Sequence, residues 1–358
     1  MDDYKYLAIV EWAKKKISDD KLASGDKFYS EKELCDIHNV SRQTVRQALM
    51  VLESQNVLFR KRGSGTFVRT ASMSRSCIYN VGVISTYFSD YIFPSIVTGI
   101  EGVLKSNNIG MQLSITHNLV YEEAQALKTM LSQGIKGLII EPSKSALPNT
   151  NMALYEEIKS HNIPLVFFNA KYPWSDFPCV AMDDVAAGKI ITDHIFDLGH
   201  KKISGIFALD DIQGHKRYEG FMKSCEMHGV SRAEQNVLWY STAEKPTLFT
   251  LSKNRMNAML GSCTAVVCYN DSLAVSLLDF CKKHNVRVPE DISIVGIDDS
   301  KLATVCDVPL TTVRHPHGLL GERTAEKLLE MMKNPNAEKN DELFAPELIA
   351  RKSACLLK

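Results

Sequence analysis

A chain of 358 residues exceeds one ordinary domain, and a hydrophobic share of 45% can fill more than one core. Its 42 basic and 42 acidic residues cancel, so any attraction to nucleic acid or membrane must be local. Nine cysteines without a C-x-x-C pair, no run of eighteen apolar residues and no basic-then-apolar leader argue against a disulfide framework, a membrane span and secretion, so a cytoplasmic protein is expected.

Tyr6, Val10, Ala13 and Ile17 share one helical face and predict a first helix. Ser30-Glu31-Lys32-Glu33 has the form of a capping box and opens a second, with Leu34 and Ile37 as its buried positions. In His38-Asn39-Val40, Asn39 can take the left-handed conformation that ends a helix. Ser41 then caps a third helix, whose Val45, Ala48, Leu49 and Leu52 recur at i, i+3, i+4 and i+7. Arg42 and Arg46, four apart, project together on the other side. Two short helices joined so tightly predict a helix-turn-helix, whose second helix offers its first residues to base edges. Val57-Leu58-Phe59-Arg60 and Thr66-Phe67-Val68, joined through glycines, predict a hairpin with a cationic tip where backbone N–H groups can approach a phosphate. From Ser41 to Ser76, seven basic residues (Arg42, Arg46, Arg60, Lys61, Arg62, Arg69 and Arg75) stand against Glu53 alone, so positive charge gathers where a duplex would lie.

Three strings in this region closely resemble the winged helix of the GntR family of bacterial regulators: Ser30-Glu31-x-x-Leu34, Val40-Ser41-Arg42-x-Thr44-Val45-Arg46-x-Ala48-Leu49 and Gly63-x-Gly65-Thr66-Phe67-Val68. The resemblance covers about the first seventy residues and implies double-stranded DNA contacts from Ser41, Arg42, Thr44 and Arg46, with Arg62 and Gly63 in the wing. Ser30, Glu31, Gln43, Arg60, Lys61 and Gly65 complete the expected DNA-binding set in a domain over 1–70.

The small and polar stretch 71–77 reads as a linker to a domain over 78–358. There the pattern is apolar strand, helix, apolar strand. Val81-Gly82-Val83-Ile84 precedes a helix carrying Ile96, Ile100, Val103 and Leu104, and strands follow at 136–140 and 164–168. A second series runs through 203–207, 265–268 and 292–296. Strands apolar at every position are buried on both faces, which predicts an α/β fold of two lobes with parallel sheets and a ligand cleft at the strand ends. Ser85-Thr86-Tyr87, Glu141, Asn169-Ala170-Lys171, Asp183-Asp184, Asn270-Asp271 and Asp298-Asp299 follow apolar runs directly. Such groups beside Tyr87, Tyr91, Phe93, Tyr172 and Trp174 suit a polyhydroxylated ligand, whose hydroxyls both donate and accept. Asp and Asn after strands are also ordinary turn and cap residues, and Tyr172 and Trp174 could equally be lobe-edge core. His194 and His200 read as structural, at a helix end stopped by Gly199.

A second resemblance covers 78–358. His194-x-x-x-Leu198-Gly199-His200-x-x-Ile203, Asn270-Asp271-x-x-Ala274, Val295-Gly296-Ile297-Asp298-Asp299 and Leu310-Thr311-Thr312-Val313 together look like the LacI/GalR regulator domain, which shares its fold with periplasmic sugar-binding proteins. It implies sugar contacts at Arg217, Asn270, Asp298 and His315; Tyr87, Tyr91, Phe93, Glu141, Lys171 and Asp184 complete the expected effector set. A GntR-type head on a LacI-type body is similar to the arabinose-utilisation repressors of bacteria. That likeness implies an L-arabinose effector held partly by Lys171 and His315, with another pentose, a hexose or a nucleoside as alternatives. An enzyme is the competing class, but no G-x-S-x-G elbow, Walker A loop or H-E-x-x-H helix occurs. Gly63-Ser64-Gly65 lacks the rest of a dinucleotide fingerprint, and His315-Pro316-His317 lacks a metal partner at a recognisable spacing. The expectation is a homodimeric repressor without catalytic residues, metal or cofactor, held on inverted operator half-sites and released by sugar.

Overall fold

The structure is a computed structural model that describes residues 5–20, 22, 25–54, 57–61, 65–68, 79–88, 91–334 and 336–357. The chain divides into two units, Met1–Ile78 and Tyr79–Lys358. The whole expected linker, 71–77, lies outside the described residues.

The first unit holds α1 (Lys5–Asp19), α2 (Glu31–His38), α3 (Arg42–Ser54) and an antiparallel hairpin of β1 (Leu58–Lys61) and β2 (Gly65–Val68). The capping box forms as its residues require: Glu33 N–H donates to Ser30 Oγ at 3.3 Å, and Ser30 N–H to Glu33 Oε2 at 2.7 Å. Asn39 ends α2 in the left-handed region at φ 51°. Val45, Ala48, Leu49 and Leu52 are fully buried against Ile9, Val10, Ala13 and Leu34, so the helical stripe makes this unit's core. Ile37, expected in that core, is instead 49% exposed. The eight-residue α2 buries only Leu34, with Cys35 packed partly against the same core.

In the second unit a six-stranded sheet, ordered β13-β7-β6-β5-β3-β4, carries one lobe. Its strands are β3 (Asn80–Ser85), β4 (Gly110–Ile115), β5 (Leu138–Ile140), β6 (Leu165–Phe168), β7 (Cys179–Met182) and β13 (Glu342–Phe344). Helices α4 (Phe93–Ser106), α5 (Val120–Ser132) and α6 (Met152–Ser160) connect the early strands. The other lobe carries a four-stranded sheet, ordered β11-β10-β8-β9, of β8 (Ile203–Ala208), β9 (Val237–Tyr240), β10 (Ala265–Cys268) and β11 (Ser293–Val295). Around it lie α7 (Asp184–Asp197), α8 (Ile212–Met227), α9 (Leu248–Leu251), α10 (Lys253–Ser262), α11 (Asp271–Lys283) and α12 (Leu302–Val305). Every strand pairing within these two sheets is parallel, as strands buried on both faces require. The chain passes between lobes after β7. It returns from β12 (Thr312–Arg314) into α13 (His317–Lys333), which packs on α4, and crosses again from β13 to β14 (Glu347–Ile349), the antiparallel partner of β12. Among the described residues no helix is long and apolar enough to cross a membrane.

Candidate functional site

Two faces hold the residues singled out by chemistry. In the first unit Ser41 caps α3, its Oγ accepting from Thr44 N–H at 3.2 Å and lying 2.9 Å from Thr44 Oγ1. Arg42, Gln43 and Arg46 stand exposed along the start of that helix. Arg46 Nε lies 3.1 Å from Glu31 Oε2, and Arg60 lies 3.4 Å from Glu31 Oε1 and 3.0 Å from Glu53. Glu31 thus ties α2, α3 and β1 together and presets two of the expected DNA-binding cations. Ser30 is committed to its capping box. Lys61 is exposed opposite Gly65, which has φ 114°, in the last strand pair before the turn of the hairpin. Arg62 and Gly63 lie outside the described residues.

In the second unit the carboxyl ends of both sheets face a cavity of about 390 Å³. Tyr87, Tyr91, Phe93 and Glu141 of one lobe line it, with Arg217, Asn270 and Asp298 of the other. Tyr87 and Phe93 form a tilted aromatic corner, their centroids 5.6 Å apart. Glu141, directly after β5, accepts from Thr86 N–H at 2.9 Å, from the Thr86 hydroxyl and from Asn169 Nδ2 at 2.7 Å. Burial pushes its carboxyl above the usual range, against the pull of those donors.

Arg217 is 2% exposed and reaches the cavity from α8. Its Nε donates to Asp184 Oδ1 at 2.8 Å, Nη1 to Tyr269 O at 2.7 Å and Nη2 to Asp298 Oδ1 at 3.1 Å. Its guanidinium carbon lies 4.8 Å over the Tyr269 ring. Burial alone would lower its pKa, but Asp298 and Asp184 outweigh that, so the guanidinium stays charged. Glycine makes the arrangement possible. A Cβ at Gly188 would fall 2.1 Å from Arg217 O, and one at Gly220 equally close to Val185 O, so α7 and α8 touch backbone to backbone and Asp184 meets Arg217.

Three expected effector residues stand elsewhere. Asp184 is 1% exposed behind Arg217. Lys171 turns away to Asp341 at 2.7 Å. His315 is 2% exposed, stacked on His317 with centroids 5.2 Å apart, and neither ring nitrogen has a partner among the described residues. Tyr172 and Trp174 stack 5.1 Å apart, Tyr172 donating to the buried Glu123, so they belong to the core. His200 is likewise internal, bonded to Thr264 and Cys355 O.

Other residues complete the wall: Asn118, Asn169, Asp211, Gln213, Tyr240, Thr242, Lys245 and Tyr269. Asp211 and Thr242 follow apolar strands, the signal that marks Glu141. Lys245 arrives on a single 3₁₀ turn that no local pattern announces. Burial pushes its ammonium below the usual range; it reaches Ser272 Oγ at 3.2 Å and has no carboxylate at ion-pair distance among the described residues. The wall therefore presents donors and acceptors alternately beside aromatic faces, which is the chemistry of polyol binding.

Residues 5–68 match the bacterial regulatory proteins of the gntR family, and residues 192–354 match a periplasmic binding protein-like domain. Over 98% of its length the chain is 40% identical to the arabinose metabolism transcriptional repressor of Geobacillus stearothermophilus, 97% of which is covered. The chain belongs to the arabinose-repressor family. The repressor is also 36% identical to the protein of that description from Halalkalibacterium halodurans, over 99% of this chain and 97% of the relative. The transcription regulator CcpA of Lactococcus lactis superposes with a TM-score of 0.68 at 25% identity, covering 77% of this chain and 99% of its own. The repressor is thus a DNA-binding transcriptional regulator rather than an enzyme, with a GntR-type head on a LacI-type body.

Proposed function

We propose that the repressor grips operator DNA through α3 and the wing, and lets go when L-arabinose enters the interlobe cavity. The observation that carries this is the likeness, along nearly the whole of both chains, to a protein described as an arabinose metabolism repressor. The cavity supports it, because a pentose offers hydroxyls that both donate and accept and C–H faces that the Tyr87–Phe93 corner can cover. Arg42 and Arg46 read the major groove, while Lys61 and the wing hold phosphates. Two copies bind two inverted half-sites, since one short helix reads too few base pairs to be specific alone. Such work places the protein in the cytoplasm. Sugar favours closed lobes, and closure changes the separation of the paired heads.

Fluorescence anisotropy on operator DNA, titrated with a panel of pentoses and hexoses, tests ligand and sign together. L-arabinose is expected to weaken binding at lower concentration than any other sugar. Tighter binding with sugar would make the effector a co-repressor, and a better response to a hexose would move the specificity.

A further inference from the structure

Polar bonds pass directly between the lobes at several points. Asn118 Nδ2 donates to Thr242 Oγ1 at 2.9 Å, and Ser145 Oγ to Asp211 Oδ1 at 2.9 Å. One such bond stands in the cavity wall itself. Tyr91, just ahead of α4, sits in the left-handed region at φ 73°, which a bulky residue rarely adopts. Its hydroxyl donates to Asp298 Oδ2 at 2.6 Å and accepts from Asp271 N–H at 3.1 Å, with Ile297 O 3.3 Å away. A phenol has one proton to give, and Tyr91 gives it to the carboxylate that also receives Arg217. Little of this hydroxyl is left to read a ligand.

We propose that Tyr91 is a positioning residue, an interlobe strut that sets how much of the protein is closed and does not choose among sugars. This rests on the reading of the cavity as a sugar cleft. A ligand that binds only closed lobes has an apparent affinity scaled by the closed fraction. Removing the strut therefore weakens every cleft ligand by one common factor. Removing a direct contact penalises only the sugars that carry the matching hydroxyl.

The test is Tyr91→Phe in the full chain, titrated calorimetrically with L-arabinose, D-xylose and D-ribose, which differ in the configuration of their ring hydroxyls, beside small-angle scattering without sugar. All three affinities are expected to fall by the same factor, about tenfold for a bond to a charged group. The ligand-free variant is expected to show a larger radius of gyration than the wild type, with a melting temperature lowered by no more than about a few degrees. Unequal losses among the sugars, or unchanged affinities, would overturn the strut. Should the wild type take none of these sugars, the sugar reading falls, and the scattering comparison alone decides: identical profiles end the proposal.

Discussion

Arg217 shows how one side chain can be both architecture and binding wall. A buried cation is tolerable only with its partners, and here two carboxylates and a carbonyl surround it. Asp184→Asn removes one of the two countercharges without touching the cavity lining. Asp298 still compensates the guanidinium, so we expect only the loss of one charge-assisted hydrogen bond, about 1–3 kcal/mol of stability read by denaturant unfolding; a variant as stable as wild type would mean the pair carries little. Glu31 is the opposite case, a partly exposed acid between Arg46 and Arg60. Such pairs add about 0–1 kcal/mol, so Glu31→Gln should barely move the melting temperature. It should tighten binding to random duplex, because two arginines lose a competing carboxylate; weaker binding would instead make Glu31 a direct DNA contact. At this scale the sequence was informative about type and blind to direction. Glu141, Asp184 and Asp298 all follow apolar strands, yet Asp184 turns behind Arg217, because the backbone contact of α7 with α8 decides where it points. Lys171 is captured by Asp341, 170 residues away, and nothing near Lys171 foretells it.

Elements were more legible than side chains. The capping box, the αL Asn39 and the buried stripe of α3 are local rules that local sequence satisfies in full. Short strands were harder. Val237-Leu238-Trp239-Tyr240 carries the same all-apolar signal as its neighbours, but four residues alone do not separate strand from helix. The exposed start of α3 gives a direct expectation. Arg42→Ala should cost about 1–3 kcal/mol of operator affinity at its own base position, measured by anisotropy on single-base operator variants. Lys61→Ala should weaken all duplexes alike and lower the slope of log affinity against log salt by about one. An equal loss on every sequence for Arg42→Ala would make that residue a phosphate contact. The start of α11 adds a pH dependence. Burial, and then the charge of Asp298, push Asp271 up to about 7, against about 4 in an unfolded chain. The folded state keeps a proton the unfolded state has lost, so this group's stabilisation is whole below about pH 4 and is lost as pH climbs through about 7. Asp271→Asn, neutral throughout, should show a smaller fall in melting temperature between about pH 5 and pH 8. Equal slopes would show that Asp271 ionises freely when folded.

At the scale of the whole molecule, the two lobes were visible in the sequence as two series of buried strands, but the three crossings that join them and their closure were not. Closure depends on bonds such as Tyr91 to Asp298, across 207 residues, and these exist only once both sheets are built. Regulation by a small molecule then reduces to linkage. If sugar weakens operator binding by some factor, operator must weaken sugar binding by the same factor, because both ligands act on one equilibrium between states of the body. The coupling in such systems is typically about 1–3 kcal/mol, roughly 5–150-fold. Calorimetric titration of L-arabinose into the repressor, free and saturated with a duplex carrying inverted half-sites, should give two dissociation constants in that ratio. The same factor must separate the operator affinities measured with and without sugar. A single sugar affinity, indifferent to the bound duplex, would mean that the cavity and the DNA-binding face do not share a conformational equilibrium, however tightly each binds its own ligand.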